Sequence, residues 1–423
     1  MDVLVTSDIS KETTLSYAAI HCGLTNEMVD TYKDYPSREE MAQYLTDINL
    51  GYDPEKNKKY NWFKLAKRKK NDIEKYWLAT KLSNNLGDIS LIEELPYADF
   101  WSISFCCQDI SVTGKMKGLK PDSGTRSSLL WDNIKLLEKA RENNELPKYV
   151  MFENVKNLVS KKFINDFNDL IDIMGELGFN TYWKVLNGKE CGIAQNRERV
   201  FVICIREDID TGRFEFPIPF DNGLRLRDFL EDSVDEKYYL SDEIQKRFKI
   251  TDETFTKSII GTTKPDFRTI GQRDLVYQKD SIMGALVATD YKQPKQILDT
   301  YRLRQIGCLN GNNSDANRVY TDDCCRTLKA EAGGGGAKTG WYSTGKRIRK
   351  LTERECARLM GFTDKDNDKC AAVGVAGTHL YKNYGNSIIT NCVELIAEHL
   401  YKAQYDSTYM CFDENFTNPQ AEN

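Results

Sequence analysis

Short apolar runs bounded by turn residues recur along the first half of the chain, separated by stretches with helical spacing of apolar positions. Residues 98–105 and 148–153 are runs whose length and composition predict buried strands of a parallel sheet. Residues 125–143 and 161–178 predict amphipathic helices, and residues 181–187 and 199–206 a closing pair of strands. Upstream, residues 2–10 predict a strand with an acid, Asp8, near its end. Residues 11–22 predict a helix, and Leu86-Gly87-Asp88-Ile89 a turn at a sheet edge. This alternation predicts a doubly wound α/β domain.

The pattern is interrupted twice. Residues 51–80, rich in Lys, Asn and aromatics, predict an inserted helical excursion (51–85 with its flank). Its run Lys64-Leu65-Ala66-Lys67-Arg68-Lys69-Lys70 reads as a solvated helix face or as a phosphate-contacting arm. After residue 215 short β-like pieces replace the alternation, and residues 305–345 are rich in Gly, Asn and Asp, with Gly333-Gly334-Gly335-Gly336. A second, smaller, loop-rich domain is expected over 216–347. From 348 to 404 the chain returns to the first domain, through a helix opened by the capping-box pattern Thr352-Glu353-Arg354-Glu355 and a last helix over 386–404. Residues 405–423 read as a frayed polar tail.

Composition narrows the function classes. With 423 residues, 40% hydrophobic, the chain can bury a sizeable core. Its net charge of −5 excludes a general nucleic-acid coat, so any DNA contact must use local basic patches. No apolar stretch approaches the roughly 18 residues of a membrane span, and the start carries no signal-peptide pattern. The twelve cysteines are dispersed without a Cys-x-x-Cys motif and the histidines number three. Structural zinc and a serine–histidine triad therefore have little support, no metal is expected, and the thiols read as reduced and intracellular.

The two best strand runs both end in chemistry. The first closes at Phe105-Cys106-Cys107-Gln108 and the second at Phe152-Glu153-Asn154-Val155. Active groups of open α/β sheets sit at the carboxyl ends of strands, so a thiol and a carboxyl are expected at one rim. That pairing suits nucleophilic attack on an electron-poor ring with proton delivery beside it.

Six blocks follow one another: Gly87-Asp88-Ile89, Cys106-Cys107-Gln108, Glu153-Asn154-Val155, Gln195-Asn196-Arg197-Glu198-Arg199, Leu351-Thr352-Glu353-Arg354-Glu355 and Gly385-Asn386-Ser387. In residues and order they resemble the DNA cytosine-5 methyltransferases, over about residues 2 to 400. The resemblance implies a Rossmann-like S-adenosyl-L-methionine-dependent methyltransferase sheet with a smaller recognition domain, and double-stranded DNA as substrate. It implies Cys107 as nucleophile toward cytosine C6, and Glu153 as the acid at N3. Arg197 and Arg199 would contact the base carbonyl and anchor the nucleophile loop, with Gln108, Asn154 and Gln195 supporting that loop. Asp8, Ile9, Asp88, Ile89, Asn386 and Ser387 would hold the cofactor. The base must leave the helix to reach such a site. Candidate DNA contacts in the variable region are Arg302, Arg304, Arg318, Arg326, Lys329 and Lys338. Restriction–modification systems and phages are the setting implied, hence a bacterial or phage-encoded cytoplasmic enzyme.

Two departures stand out. Cys106 replaces the family's proline before the nucleophile. The family's first block, a Phe-x-Gly-x-Gly loop after a central strand, has no counterpart near the amino terminus. A small separate polypeptide supplying that strand and loop, a start upstream of Met1, or a decayed enzyme would each account for it; the first two are favoured. Competing readings are a non-catalytic DNA-binding or regulatory subunit and a tRNA cytosine-5 methyltransferase.

Overall fold

The structure, a computed structural model, describes residues 2–105 save 55 and 69–71, residues 129–239, 241, 243, 259–263, 274–299, 305–308, 318–321, 341–343 and 347–409. The chain opens with five helices: α1 (Lys11–His21), α2 (Asn26–Thr31), α3 (Arg38–Asp47), α4 (Trp62–Ala66) and α5 (Asp72–Leu82). Ser10 caps α1 by accepting from Thr13 N–H, and Leu15, Ala18 and Ala19 turn inward. The expected strand over 2–10 does not form. Only Thr6 makes a bridge, parallel to Asn85, and Val3 and Leu4 are exposed. The helical insertion is part of the core: Trp62 is fully buried and donates its indole N–H to Leu50 O at 2.8 Å.

The central sheet is built from β1 (Phe100–Ser104), β2 (Tyr149–Val155), β3 (Phe179–Asn187) and, after the two-residue β4 (Gln195–Asn196), β5 (Glu198–Arg206). Strand order is β1-β2-β5-β3. Only β1 and β2 run parallel; β5 lies antiparallel to both β2 and β3. The sheet is thus mixed where a parallel one was expected, because residues 188–197 connect β3 and β5 without a crossover helix. Helices α6 (Leu129–Glu142) and α7 (Ile164–Glu176) sit on one face.

Strand periodicity sorts the core. Val150, Phe152, Val202 and Cys204 face α6 and α7. Tyr149, Met151, Phe201, Ile203 and Ile205 face the other way, into a core shared with the amino- and carboxyl-terminal helices. Both faces of β2 are therefore buried, which is why it reads as an unbroken apolar run.

A second, four-stranded sheet has the order β13-β9-β7-β6, from β6 (Ile259–Thr262), β7 (Leu275–Gln278), β9 (Gln296–Asp299) and β13 (Arg347–Lys350). Strand β8 (Met283–Gly284) leaves it to pair with β4. Strands β10 (Gln305–Cys308), β11 (Arg318–Thr321) and β12 (Trp341–Ser343) form a third sheet. The chain ends in α8 (Glu353–Arg358), α9 (Asp364–Ala372), α10 (Gly377–Asn386) and α11 (Thr390–Tyr405). The capping box at Thr352 forms as its sequence predicts, and Glu355 also holds Arg349 in a bidentate pair, both oxygens at 2.8 Å and both residues fully buried. The last helix starts at Thr390 and not at 386; Asn386 ends α10 and Ser387 follows it.

Candidate active site

The parallel pairing of β1 and β2 aligns Ser104 with Glu153, so both strands finish at the same rim. Because β5 is antiparallel to β2, its amino end reaches that rim too, with Arg199 opposite Val155. Arg199 Nε lies 3.0 Å from Glu153 Oε1. Burial pushes the Glu153 carboxyl above its usual range, and the charges of Arg199 and Arg197 only partly offset this. The result is a buried acid able to keep a proton, with a fixed cation beside it.

The next residue, Asn154, is turned to the neighbouring strand. Its Nδ2 donates to Phe105 O at 3.1 Å, and its Oδ1 accepts from Val155 N–H. Phe105 is the last described residue before the Cys106-Cys107-Gln108 block, which lies outside the described residues. Asn154 therefore fixes the point where the chain leaves the rim toward the thiols. Arg302, Arg304, Arg326, Lys329, Lys338 and the tetraglycine also lie outside the described residues.

Arg197 and Gln195 both reach into the junction between chain segments, while the Cys106-Cys107-Gln108 block they were expected to anchor lies outside the described residues. Arg197 is 3% exposed, and its guanidinium donates to three main-chain carbonyls: Leu286 at 2.5 Å, Ser387 at 2.7 Å and Gly385 at 3.2 Å. Its charge also acts on Glu153. Gln195 is fully buried, takes Leu286 N–H at 2.8 Å and donates to Leu359 O at 2.6 Å. It supports the junction between chain segments and makes no bond to Phe105.

A second corner collects Asp8, Ile9, Asp88 and Ile89 through a residue the sequence reading missed. Asn85, 2% exposed, donates to Asp8 O and to Thr14 Oγ1, and accepts from both Asp8 N–H and Gly87 N–H. Gly87, at φ +78°, leaves no room for a Cβ against Ile48 O, and Asp88 N–H bonds that same carbonyl. Ile9 O accepts from Gly51 N–H. The only hint of Asn85 in the sequence is an asparagine just ahead of Leu86-Gly87-Asp88, and no periodicity marks it.

Whether this corner suits a ribose-bearing cofactor turns on Asp8. Burial raises its carboxyl to about 6, against the opposing pull of Ser10 N–H and the Lys382 charge. Among the described residues its side chain receives one hydrogen bond, from Ser10 N–H at 2.6 Å. A half-buried carboxyl with spare acceptor capacity fits vicinal hydroxyls. Asp88 has less to offer, since Asn49 Nδ2, Ser90 N–H and Ser90 Oγ already occupy its oxygens. Ile89 packs against the second core and forms a wall. Asn386 and Ser387 stand at the carboxyl end of α10, and α10 is tied to α1 by Asn383 Nδ2 donating to Ser16 Oγ. Ser387 O is taken by Arg197. Among the described residues no group of three potential metal ligands occurs, and no helix is long and apolar enough to cross a membrane.

Comparison with known proteins adds an independent line. A family model described as C-5 cytosine-specific DNA methylase matches residues 40–402. Type II methyltransferase M2.ScrFI of Lactococcus lactis subsp. cremoris is 35% identical, over 95% of this chain and 93% of its own length. Type II methyltransferase M.HhaI of Haemophilus parahaemolyticus is 30% identical, over 74% and 79%. Orphan methyltransferase M.SssI of Spiroplasma monobiae is 33% identical, over 72% and 76%.

Proposed function

The chain belongs to the C-5 cytosine-specific DNA methylase family, and we propose that it methylates C5 of cytosine in duplex DNA through a covalent Cys107–C6 adduct on a flipped base. The observation that carries this reading is the Glu153–Arg199 pair, 3.0 Å apart at the rim where Asn154 holds Phe105, the residue before Cys106-Cys107 in the sequence.

Asp8, with Asn85 holding it, and the Ile9 and Ile89 walls would hold S-adenosyl-L-methionine, which supplies an electrophilic methyl group when bound. The chain's own residues do the remaining work. The Cys107 thiolate adds to C6 as Glu153 gives a proton or hydrogen bond to N3, so that electron density moves to C5. Arg199 keeps Glu153 aimed and faces the base side of the rim. After C5 is methylated its proton passes to a water molecule, the C–H electrons re-form the C5–C6 double bond, Cys107 departs as the thiolate and N3 gives its proton back to Glu153. Burial of Glu153 suits this cycle, because it favours the protonated carboxyl that the step at N3 calls for. The variable stretch 216–347 is proposed to read the DNA target, with residues 1–215 and 348–404 building the catalytic side.

The finer proposal concerns the glycine loop. Among the described residues β1 pairs with β2 alone, and the Thr6–Asn85 bridge joins no named strand. A strand carrying a Phe-x-Gly-x-Gly loop would pair with the outer edge of β1, between it and the Asp8 corner. The experiment is transfer of labelled methyl to unmethylated duplex DNA by the purified chain, alone and with a separately expressed strand–loop polypeptide. Label on cytosine C5 that Cys107→Ser abolishes supports the reading; label that survives in the mutant moves the nucleophile elsewhere. Label in neither mixture favours the reading of a non-catalytic subunit.

A further inference from the structure

Three separate returns of the chain converge on the four residues from Ala194 to Arg197. Met283 N–H bonds Ala194 O at 2.8 Å, where β8 pairs with β4. Leu286, 2% exposed, is then gripped by both of its backbone polar groups. Gln195 Oε1 takes its N–H at 2.8 Å and Arg197 Nη1 gives to its carbonyl at 2.5 Å. The same two side chains hold the segments beyond the variable region. Gln195 Nε2 reaches Leu359 O, and Arg197 Nη2 reaches Gly385 O and Ser387 O. Packing closes the joint: a Cβ on Gly385 would stand 2.4 Å from Val287 C and 2.5 Å from Ala288 N. Arg197 is in turn anchored to the central sheet, its N–H on Asn187 Oδ1 at 3.1 Å and its carbonyl on Gly188 N–H.

We propose that Gln195 and Arg197 form a two-jawed clamp on the Leu286 peptide that sets how the variable region sits over the Glu153–Arg199 corner. Arg197 is a positioning residue: it governs the duplex-binding cleft through Leu286 and does not touch the flipped base. The planar guanidinium reaches the three carbonyls from two separate nitrogens, a spread the single ammonium of a lysine does not span, so the clamp needs Arg and not merely a cation. A preformed cleft binds its substrate without the ordering cost a loose one would incur. Arg199, two residues on, performs the task at Glu153 that the clamp positions.

The inference rests on the function proposed above, and the test separates the two. Initial rates are measured with duplex DNA varied at saturating S-adenosyl-L-methionine, for the full chain and for Arg197→Lys, together with any strand–loop polypeptide the wild type requires. Arg197→Lys is expected to raise KM for DNA by about tenfold, as a cleft that has lost its preorganisation should. Its kcat at saturating DNA stays within about twofold of wild type, because Lys keeps the charge that acts on Glu153. A collapsed kcat with unchanged KM would place Arg197 on the reacting base and overturn the clamp. Wild type without activity under any condition sinks the functional reading instead. Should Arg197→Lys lack a melting transition, Gln195→Met removes one jaw only. Faster hydrogen exchange at the Leu286 amide with a raised KM supports the clamp; unchanged exchange overturns it.

Discussion

Glu153 and Asp8 are both acids that burial pushes above their usual range, yet they stand in different kinds of site. Glu153 sits on a strand, two residues from its end, with Arg199 at 3.0 Å. Asp8 sits on a loop that makes no strand, receives a backbone N–H from Ser10, and feels Lys382 only at a distance. The first corner is assembled within the chain, and its cation is already in place. The second is held in position by Asn85 but lacks partners for its charge. A buried acid with a partner reads as chemistry, whereas a half-buried one with spare acceptor capacity reads as a seat for a ligand that brings donors.

The sharpest way to break this contrast is Glu153→Gln, which keeps the shape and hydrogen bonding but cannot deliver a proton. We expect kcat to fall by about 10²- to 10⁴-fold with cofactor affinity unchanged. A near-normal rate would leave the corner a structural ion pair.

Asp8 should respond in the opposite way. Its folded value of about 6 lies above the ordinary 3.8, so the stability it contributes is complete below pH 3.8 and is lost as pH rises through 6. Asp8→Asn should therefore stabilise the cofactor-free chain at pH 7.5, by at most about 3 kcal/mol from a shift of roughly two units, and do little at pH 4. The same substitution should weaken S-adenosyl-L-methionine binding, and wild-type binding should itself weaken as pH falls below 6. Thermal melts at the two pH values check the first part, and calorimetric titration the second. A destabilised Asp8→Asn at pH 7.5 would mean that the carboxylate is already well partnered.

The smallest effect belongs to the amino end of the same β1–β2 pair. There Lys148 and Asp99 meet at 2.9 Å with side chains 37% and 61% exposed. Lys148→Ala should leave the denaturant midpoint where it is, because a solvent-exposed ion pair adds almost nothing to stability. A clear loss would remove burial as the distinction between the two ends of these strands.

What could be read from the sequence follows the same division. Strands β2 and β5 were legible because both their faces are covered, which leaves apolar runs in the sequence; β1 buries only alternate residues, Trp101 and Ile103, between exposed Ser102 and Ser104. The capping box at Thr352 was legible because its partners lie three residues apart. The strand expected over 2–10 was misread: Val3-Leu4-Val5 has strand composition, but among the described residues only Thr6 finds a bridging partner. The antiparallel placement of β5 was illegible, since nothing in an apolar run states its direction. Arg197 and Arg199 look alike in sequence. Their opposite uses come from β5 beginning between them, at Glu198, so that Arg197 faces the junction and Arg199 the rim.

The sequence by itself determined most of the element types beyond residue 10 and the order of the residues able to do chemistry, because apolar periodicity, caps and reactive groups are local properties. Only the tertiary structure decided which partner each buried charge or amide received. Asn85 binds Asp8, Gln195 binds Leu286, and Arg197 binds three carbonyls, across 77, 91 and as many as 190 residues of chain. A buried polar group must find a partner wherever the packing brings one. Its choice is therefore made by the whole fold and leaves no mark on its neighbours in the sequence.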